Sequence, residues 1–274
     1  SAEDIGKLPD VSIAESIARL PGLSAQRVAG RAQVISVRGL SPDFATTLLN
    51  GREMVSTGDN RSVEFDQYPS ELMSGVTVYK TPDAGLVGQG LSGTINMQTV
   101  RPLNYDQGVA VVGVRGQHNS LGSAANADAM GNRINASYVG QSEDRSMCFA
   151  ICASHADTPI QENQVGLYEP WRAIGDNWRP GVPAGTFYSD GIKALRRTGD
   201  LKRDGVMATF EFRPENWTST LDLFYSRAEQ EDTANQFEVN LGDYNGGFGR
   251  LDVDDAEING NGTFVGGTAA NLYP

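Results

Sequence analysis

From Val109 onward the chain is a series of segments in which apolar and polar residues alternate, joined by connections of very unequal length. Alternation with a period of two is a strand signature, because successive side chains point to opposite faces of a sheet. Met147, Phe149, Ile151 and Ala153 fall on one face, and Cys148, Ala150, Cys152 and Ser154 on the other. Val206, Ala208, Phe210 and Phe212 likewise oppose Met207, Thr209 and Glu211. Leu221, Leu223 and Tyr225 oppose Asp222, Phe224 and Ser226, where Phe224 breaks the pattern. The pattern predicts antiparallel strands over Val109–Gln117, Arg133–Gly140, Met147–Ala156, Gly205–Phe212 and Thr218–Arg227, each paired with the next. Tight polar turns close two hairpins, Gln141-Ser142-Glu143-Asp144 and Arg213-Pro214-Glu215-Asn216. Residues 158 to 203 are expected to form one long loop, and loops of that length are usually functional or disordered. One apolar face, one small or polar face, and short turns alternating with long loops are what a transmembrane β-barrel requires. Trp217, beside a tight turn, suits an interfacial aromatic girdle. A soluble sandwich with one wet face shares the same period, and the rhythm of turn lengths favours the barrel. About five strands are too few to close one, since the smallest have about 8. The expectation is therefore an incomplete barrel, with Ser1 reading as a cut within a longer chain.

Composition narrows the alternatives. A net charge of −12 argues against nucleic acid, whose phosphates need a basic footprint. No apolar run approaches the roughly 18 residues of a membrane helix, and the longest, Val109 to Val114, is strand-sized. No basic, apolar stretch opens the sequence, so a leader is expected to be either absent or already removed. Cys148 and Cys152 would share a strand face about 13 Å apart, too far to bridge, and read as small buried or lumen-facing thiols. His118 and His155 complete no metal spacing, and no metal or cofactor is expected. Gly88-Gln89-Gly90-Leu91-Ser92-Gly93 matches the dinucleotide fingerprint in letters. That fingerprint works through a helix opening right after the glycines, whereas Thr94-Ile95-Asn96-Met97 alternates like a strand. No nucleophile elbow is present. The acidic run Asp252, Asp254, Asp255 and Glu257 lacks the spacing of a calcium loop and reads as solvated. The chain is not expected to be an enzyme.

The first hundred residues follow another grammar, that of a compact α+β unit. Ser12-Ile13-Ala14-Glu15 fits a capping box, Ile13, Ile17 and Leu20 recur at helical spacing, and Pro21-Gly22 stops the run. Val34 to Arg38 reads as a strand. Asn50-Gly51, between Thr46–Leu49 and Arg52–Val55, signals a hairpin whose turn needs positive φ. Pro69 opens a helical turn through Met73, and Val76–Tyr79 and Thr94–Gln98 read as two further strands. The expected division is residues 1–104 and residues 105–274.

Taken in order, these stretches resemble the plug of TonB-dependent outer-membrane receptors. The matching words are Leu8-Pro9-Asp10-Val11-Ser12-Ile13-Ala14-Glu15, Arg19-Leu20-Pro21-Gly22, Ile35-Ser36-Val37-Arg38-Gly39-Leu40 and Leu49-Asn50-Gly51. They continue with Tyr68-Pro69-Ser70-Glu71-Leu72, Val76-Thr77-Val78-Tyr79-Lys80, Leu91-Ser92-Gly93-Thr94-Ile95-Asn96 and Thr99-Val100-Arg101-Pro102. The wording from Tyr68 to Thr94 is most similar to a subgroup linked with oligosaccharide uptake. The resemblance implies an α+β plug domain followed by antiparallel strands of a roughly 22-stranded transmembrane β-barrel. It implies import of a scarce ligand, an oligosaccharide or a siderophore, across the Gram-negative outer membrane. The implied partners are the TonB–ExbB–ExbD complex, which pulls on an N-terminal segment, and outer-membrane lipid. The TonB box that the resemblance implies before the helix near Ser12 is expected to lie outside this chain, and Gln89 stands where relatives often carry an acid. Arg38 and Lys80 match basic plug positions that pair with barrel acids, here expected on strands outside this chain. The apical loops around Arg27 to Gln33, Ser41 to Phe44 and Met54 to Arg61 should face the ligand, with Arg31, Asp43, Phe44, Asp59, Asn60 and Arg61 as candidates. The competing reading is a soluble carbohydrate-binding or adhesive β-rich module, with Trp171, Trp178 and Tyr188 stacking on sugars. Detergent dependence separates the two.

Overall fold

Ser12 has extended backbone and its hydroxyl accepts a hydrogen bond from the Glu15 amide, so a helix starts immediately after it. This helix, α1 (Ile13–Ile17), is shorter than the apolar spacing suggests. Ile13, Ala14 and Ile17 are buried, but Leu20 lies past the helix end and is exposed, because Ala18 to Leu20 turn toward Pro21-Gly22 instead of completing another helical turn. The computed structural model describes residues 12–28, 30–81, 83–86, 90–123, 128–176, 178–189, 191–240 and 252–270. The Leu8–Val11 part of the first matched stretch, and Gly88 and Gln89, lie outside them.

After α1 the chain forms an antiparallel hairpin, β1 (Leu23–Val28) and β2 (Arg31–Val37), with a bulge at Gln26/Arg27. The stretch around Arg27 to Gln33 is therefore mostly strand rather than loop. β1 carries one buried residue, Leu23, so it shows little apolar periodicity and is held by pairing with β2. A second sheet has the order β4–β3–β6–β5, from β3 (Ala45–Leu49), β4 (Arg52–Glu53), β5 (Met73–Tyr79) and β6 (Gly93–Thr99). β3 and β6 run parallel, and the two outer pairings are antiparallel. Asn50 and Gly51 both take positive φ, 50° and 80°, as the two-residue turn between β3 and β4 demands. Pro69 caps a 3-10 turn over Ser70–Leu72 that delivers the chain into β5. Because β6 begins at Gly93, the glycine fingerprint runs into a strand, and a phosphate-binding helix N-terminus does not follow it.

The alternating segments form a five-stranded sheet in sequence order. Its members are β7 (Val109–His118), β8 (Met130–Gln141), β9 (Met147–Leu167), β12 (Gly191–Phe212) and β13 (Ser219–Asn240). All five expected strands are present in the expected order. The long loop is not: β9 continues to Leu167 and β12 starts at Gly191, so much of 158–203 is strand. Polar residues such as Gln161, Glu162, Asn163 and Gln164 hide the period there, and pairing to neighbours overrides weak local propensity. Between these strands lie β10 (Arg172–Ala173) and β11 (Phe187–Tyr188), which pair with each other. The acidic run lies in β14 (Asp252–Ile258), paired irregularly with β15 (Phe264–Ala270), and is not a free solvated loop. Val253 supplies the reason, since it is buried in a small core with Ile174, Val182 and Tyr188.

The chain divides into two compact units. One comprises Ser1–Gln161 and Thr198–Asp232, the other Glu162–Arg197 and Thr233–Pro274. The core of the first unit joins Ile13, Ile17, Ile35, Val37, Phe65, Leu72, Ile95 and Met97 to Val139, Ala150, Cys152 and Met207 of the five-stranded sheet. Burying each large apolar side chain contributes about 1.5–3 kcal/mol, so the N-terminal α+β region and the sheet's inner face form one folding unit. Cys148 and Cys152 are both free and buried. Among the described residues no helix is long and apolar enough to cross a membrane.

Candidate functional site

The inner face of β12 is the odd-numbered phase, Leu201, Arg203, Gly205, Met207, Thr209 and Glu211, and the N-terminal region lies directly against it. A Cβ on Gly205 would sit 2.6 Å from Leu72 Cδ1 and 2.8 Å from Pro69 Cγ, so the 3-10 turn before β5 packs on bare backbone. Phe224, the residue that broke the alternation of β13, turns its ring toward Tyr68, with centroids 6.3 Å apart. An apolar side chain on the otherwise polar face is accounted for by this contact. Ser226 Oγ donates to the Gln67 carbonyl at 3.4 Å, and Cys152 Sγ approaches the Glu71 carbonyl at 3.6 Å.

Charged groups cluster in the same seam. Arg203 is only 3% exposed. Its guanidinium donates to the Asp66 carbonyl at 2.9 Å and to Thr158 Oγ1 at 3.3 Å. Asp66 also takes Arg31 as an ion-pair partner at 3.4 Å, and Arg31 Nη2 donates to Gln230 Oε1 at 2.9 Å. Arg133 of β8 pairs with Glu71 at 3.7 Å, both largely buried. Buried charges are tolerated when they are paired and hydrogen-bonded, and across the seam Asp66 is paired with Arg31, Glu71 with Arg133, and Arg203 is hydrogen-bonded to Asp66 and Thr158. Burial pushes the Asp66 carboxyl above the ordinary carboxylate range, against the opposing pull of Arg31 and Arg203.

A second set of polar contacts fastens the segment that leads into β7. Arg101 grips Asp222 of β13 with both terminal nitrogens, at 2.7 and 2.9 Å. Asn50 Nδ2 and Thr209 Oγ1 donate to the same carboxylate. The Leu103 amide donates to Glu211 Oε2 at 2.8 Å, and Gln141 Nε2 donates to the Pro102 and Tyr105 carbonyls.

The residues singled out from sequence are distributed differently. Arg38 is exposed and donates twice to the Ser92 carbonyl, at 3.0 and 3.2 Å, while Lys80 Nζ donates to the Pro21 carbonyl. Among the described residues neither forms a salt bridge. Arg31 lies in the charged seam. Asp43 accepts from Ser41 Oγ within a short 3-10 turn, and Phe44 beside it is exposed. Asp59, Asn60 and Arg61 are exposed on one loop, with Arg61 3.8 Å from Glu53. Asp66, Glu71, Arg133, Arg203 and Asp222 were not singled out. The available signal was phase: extended back by one residue pair, the inner face of β12 reaches Arg203, and a cation on a face of small and apolar residues needs an acid opposite.

Residues 1–95 match the family model described as TonB-dependent Receptor Plug Domain. The fold is thus an α+β plug domain followed by antiparallel strands, with the charged seam between plug and strands. No curated protein sequence matches the chain. Among solved structures, the siderophore receptor PirA from Acinetobacter baumannii is similar at a TM-score of 0.47 and 14% identity, over 87% of this chain and 43% of that one. PirA from Pseudomonas aeruginosa is similar at a TM-score of 0.45 and 20% identity, over 87% and 42%. A mutant ferric enterobactin receptor, PfeA, from Pseudomonas aeruginosa is similar at 0.48 and 15%, over 84% and 40%. The chain spans less than half the length of each of these receptors.

Proposed function

We propose that the chain is the plug and the first wall strands of a TonB-dependent receptor. Such a receptor imports a scarce ligand, an oligosaccharide or a siderophore-like molecule, across the Gram-negative outer membrane and performs no covalent chemistry. The proposed division is residues 1–104 for the plug and 105–274 for the start of the barrel. The observation that carries the reading is the two-faced sheet. Its inner face holds the plug, while Val112, Val114, Ile134, Ile151, Val206, Phe210, Leu221 and Leu223 are exposed on its outer face. Along β9 the outer apolar run from Met147 to Ala153 is roughly 20 Å long at about 3.3 Å per residue, which a strand tilt of about 35–45° reduces to roughly 15 Å of the about 25 Å height of a lipid-facing band. It ends at His155, whose Nδ1 lies 2.7 Å from Asp204. Beside the tight turns, rings run across the strands from Tyr138 to Phe149 to Phe210, at 5.6 and 6.5 Å, and Trp217 packs edge-on to Phe212 at 5.5 Å. Amphipathic rings at that level suit a membrane–water interface.

In this reading TonB–ExbB–ExbD supplies the pull that moves the plug, and outer-membrane lipid contacts the apolar face. Arg38 and Lys80 pair with acids of the barrel, and Arg31, Asp43, Phe44, Asp59, Asn60 and Arg61 lie toward the ligand. The test is cell fractionation of the full-length protein with ligand uptake measured in cells with and without TonB. Recovery in the outer-membrane fraction and TonB-dependent uptake are expected. A full-length protein that stays soluble without detergent overturns the proposal.

A further inference from the structure

Two pieces of the second compact unit are too small to hold themselves. In the connection between β9 and β12, the strands β10 and β11 pair through two residues each. The hairpin β14–β15 is longer, but two register shifts break its ladder. An isolated two-stranded hairpin is at best marginally stable in water, so each piece needs a core from elsewhere. Each supplies the other's. Ile174, Trp178, Val182 and Tyr188 come from the connection, Val253, Ala256 and Phe264 from the hairpin, and together they form one apolar cluster.

The backbone ties the same two pieces. The Val253 amide donates to the Pro180 carbonyl at 3.0 Å, and the Phe187 amide donates to the Gly262 carbonyl at 2.8 Å. Phe187 also makes a single parallel bridge to Thr263. The rings of Tyr188 and Phe264 meet with centroids 4.9 Å apart. At Gly181 the approach is so close that a Cβ would overlap the Val253 carbonyl oxygen. Segments that share one core, with little of their own, open as a cooperative unit.

We propose that the connection around residues 172–188 and the hairpin β14–β15 form a clasp that orders and opens as a single body. Its role in gating rests on the import reading. The connection leaves β9 at the end opposite the tight turns, and the hairpin follows β13 at that same end, which is the ligand side in that reading. A ligand then passes only when both pieces yield together, and neither swings aside alone.

Hydrogen–deuterium exchange on the full-length receptor, purified in detergent, tests the coupling. The reporters are amides bonded within their own piece: Ile174 to the Thr186 carbonyl at 3.0 Å, and Asn259 to the Thr263 carbonyl at 2.9 Å. Phe264→Ala, in the hairpin, should speed exchange at Ile174 by about tenfold or more, and Gly181→Ala, in the connection, should do the same at Asn259. The amides of β7 and β8 should keep their protection in both variants. A rise confined to the altered piece, in either variant, overturns the proposal. So does an equal rise in β7 and β8, because the clasp would then not open as a body of its own. The exchange measurement needs no transport, and TonB-dependent uptake is measured separately on the same protein. Uptake with uncoupled exchange removes the clasp alone, whereas coupled exchange without TonB-dependent uptake removes the import reading and leaves the clasp.

Discussion

Asp66 sits where burial and pairing pull in opposite directions, and burial prevails, so its folded-state pKa is raised above the ordinary 3.8. The native state therefore holds this proton more readily than the unfolded chain. The stability contributed in this way is fully present below the unfolded value and is lost as pH rises through the raised one. Asp66→Asn cannot titrate, so wild type should lose stability relative to the variant as pH climbs from 3.8 through the raised value. Thermal unfolding of both proteins across a pH series measures this, and parallel profiles would contradict the burial argument. Gly205 offers a second test at the same scale. Gly205→Ala forces a methyl against Leu72 and the rigid Pro69 ring and should cost about 1–3 kcal/mol. Gly116→Ala, where nothing lies within 4 Å of the added carbon, should cost little by the same thermal assay.

At the level of elements, the strands of the sheet were legible because one face of each is apolar and the other is not. The hairpin at Asn50-Gly51 was legible because only a few residues accept its backbone. β1 was not, since a strand with one buried residue carries no period. The outer halves of β9 and β12 were hidden for a related reason: residues such as Gln161 to Gln164 are polar on both faces, and only pairing makes them strand. The charged seam was hidden differently. Asp66 and Glu71 lie in a segment whose turn and matched words were legible, but their partners Arg31, Arg133 and Arg203 come from three other elements, and no local pattern joins them. The extended strands refine what can be removed. The Tyr168 amide donates to the Gly191 carbonyl at 2.9 Å, bringing the ends of β9 and β12 together. Replacing residues 169–190 by a short turn should therefore leave assembly intact, read as heat-modifiable migration in gels. Ligand affinity should fall about tenfold, about 1.4 kcal/mol, because long outer loops are where such receptors capture ligand in the proposed reading. An unchanged affinity would remove that role from the loop.

For the whole molecule, the proposed arrangement sets two surfaces against each other, an outer face in lipid and an inner face on the plug. A charge on the outer face is the direct probe of the first. Ile151→Arg should cost about 2–4 kcal/mol near the bilayer midplane and impair assembly into liposomes, whereas a soluble sandwich would tolerate an exposed arginine. The second surface concerns how the plug is held and released. Arg38 and Lys80 donate to carbonyls of the plug itself, and in the proposed receptor they also meet acids of the barrel. Partly hydrated pairs of that kind contribute only about 0–1 kcal/mol each, weak enough to break under a pull. The Glu71–Arg133 pair is buried, and removing one partner of a buried pair typically costs about 3–5 kcal/mol because the other charge is stranded. An order follows for passive leakage through the full-length receptor in planar bilayers. The double variant Arg38→Met, Lys80→Met should raise conductance modestly with assembly intact. Arg133→Met should raise it further, since the stranded Glu71 favours plug positions that reach water. If the double variant is as closed as wild type, Arg38 and Lys80 are not part of the lock. If Arg133→Met leaks less than the double variant, the buried seam does not hold the plug.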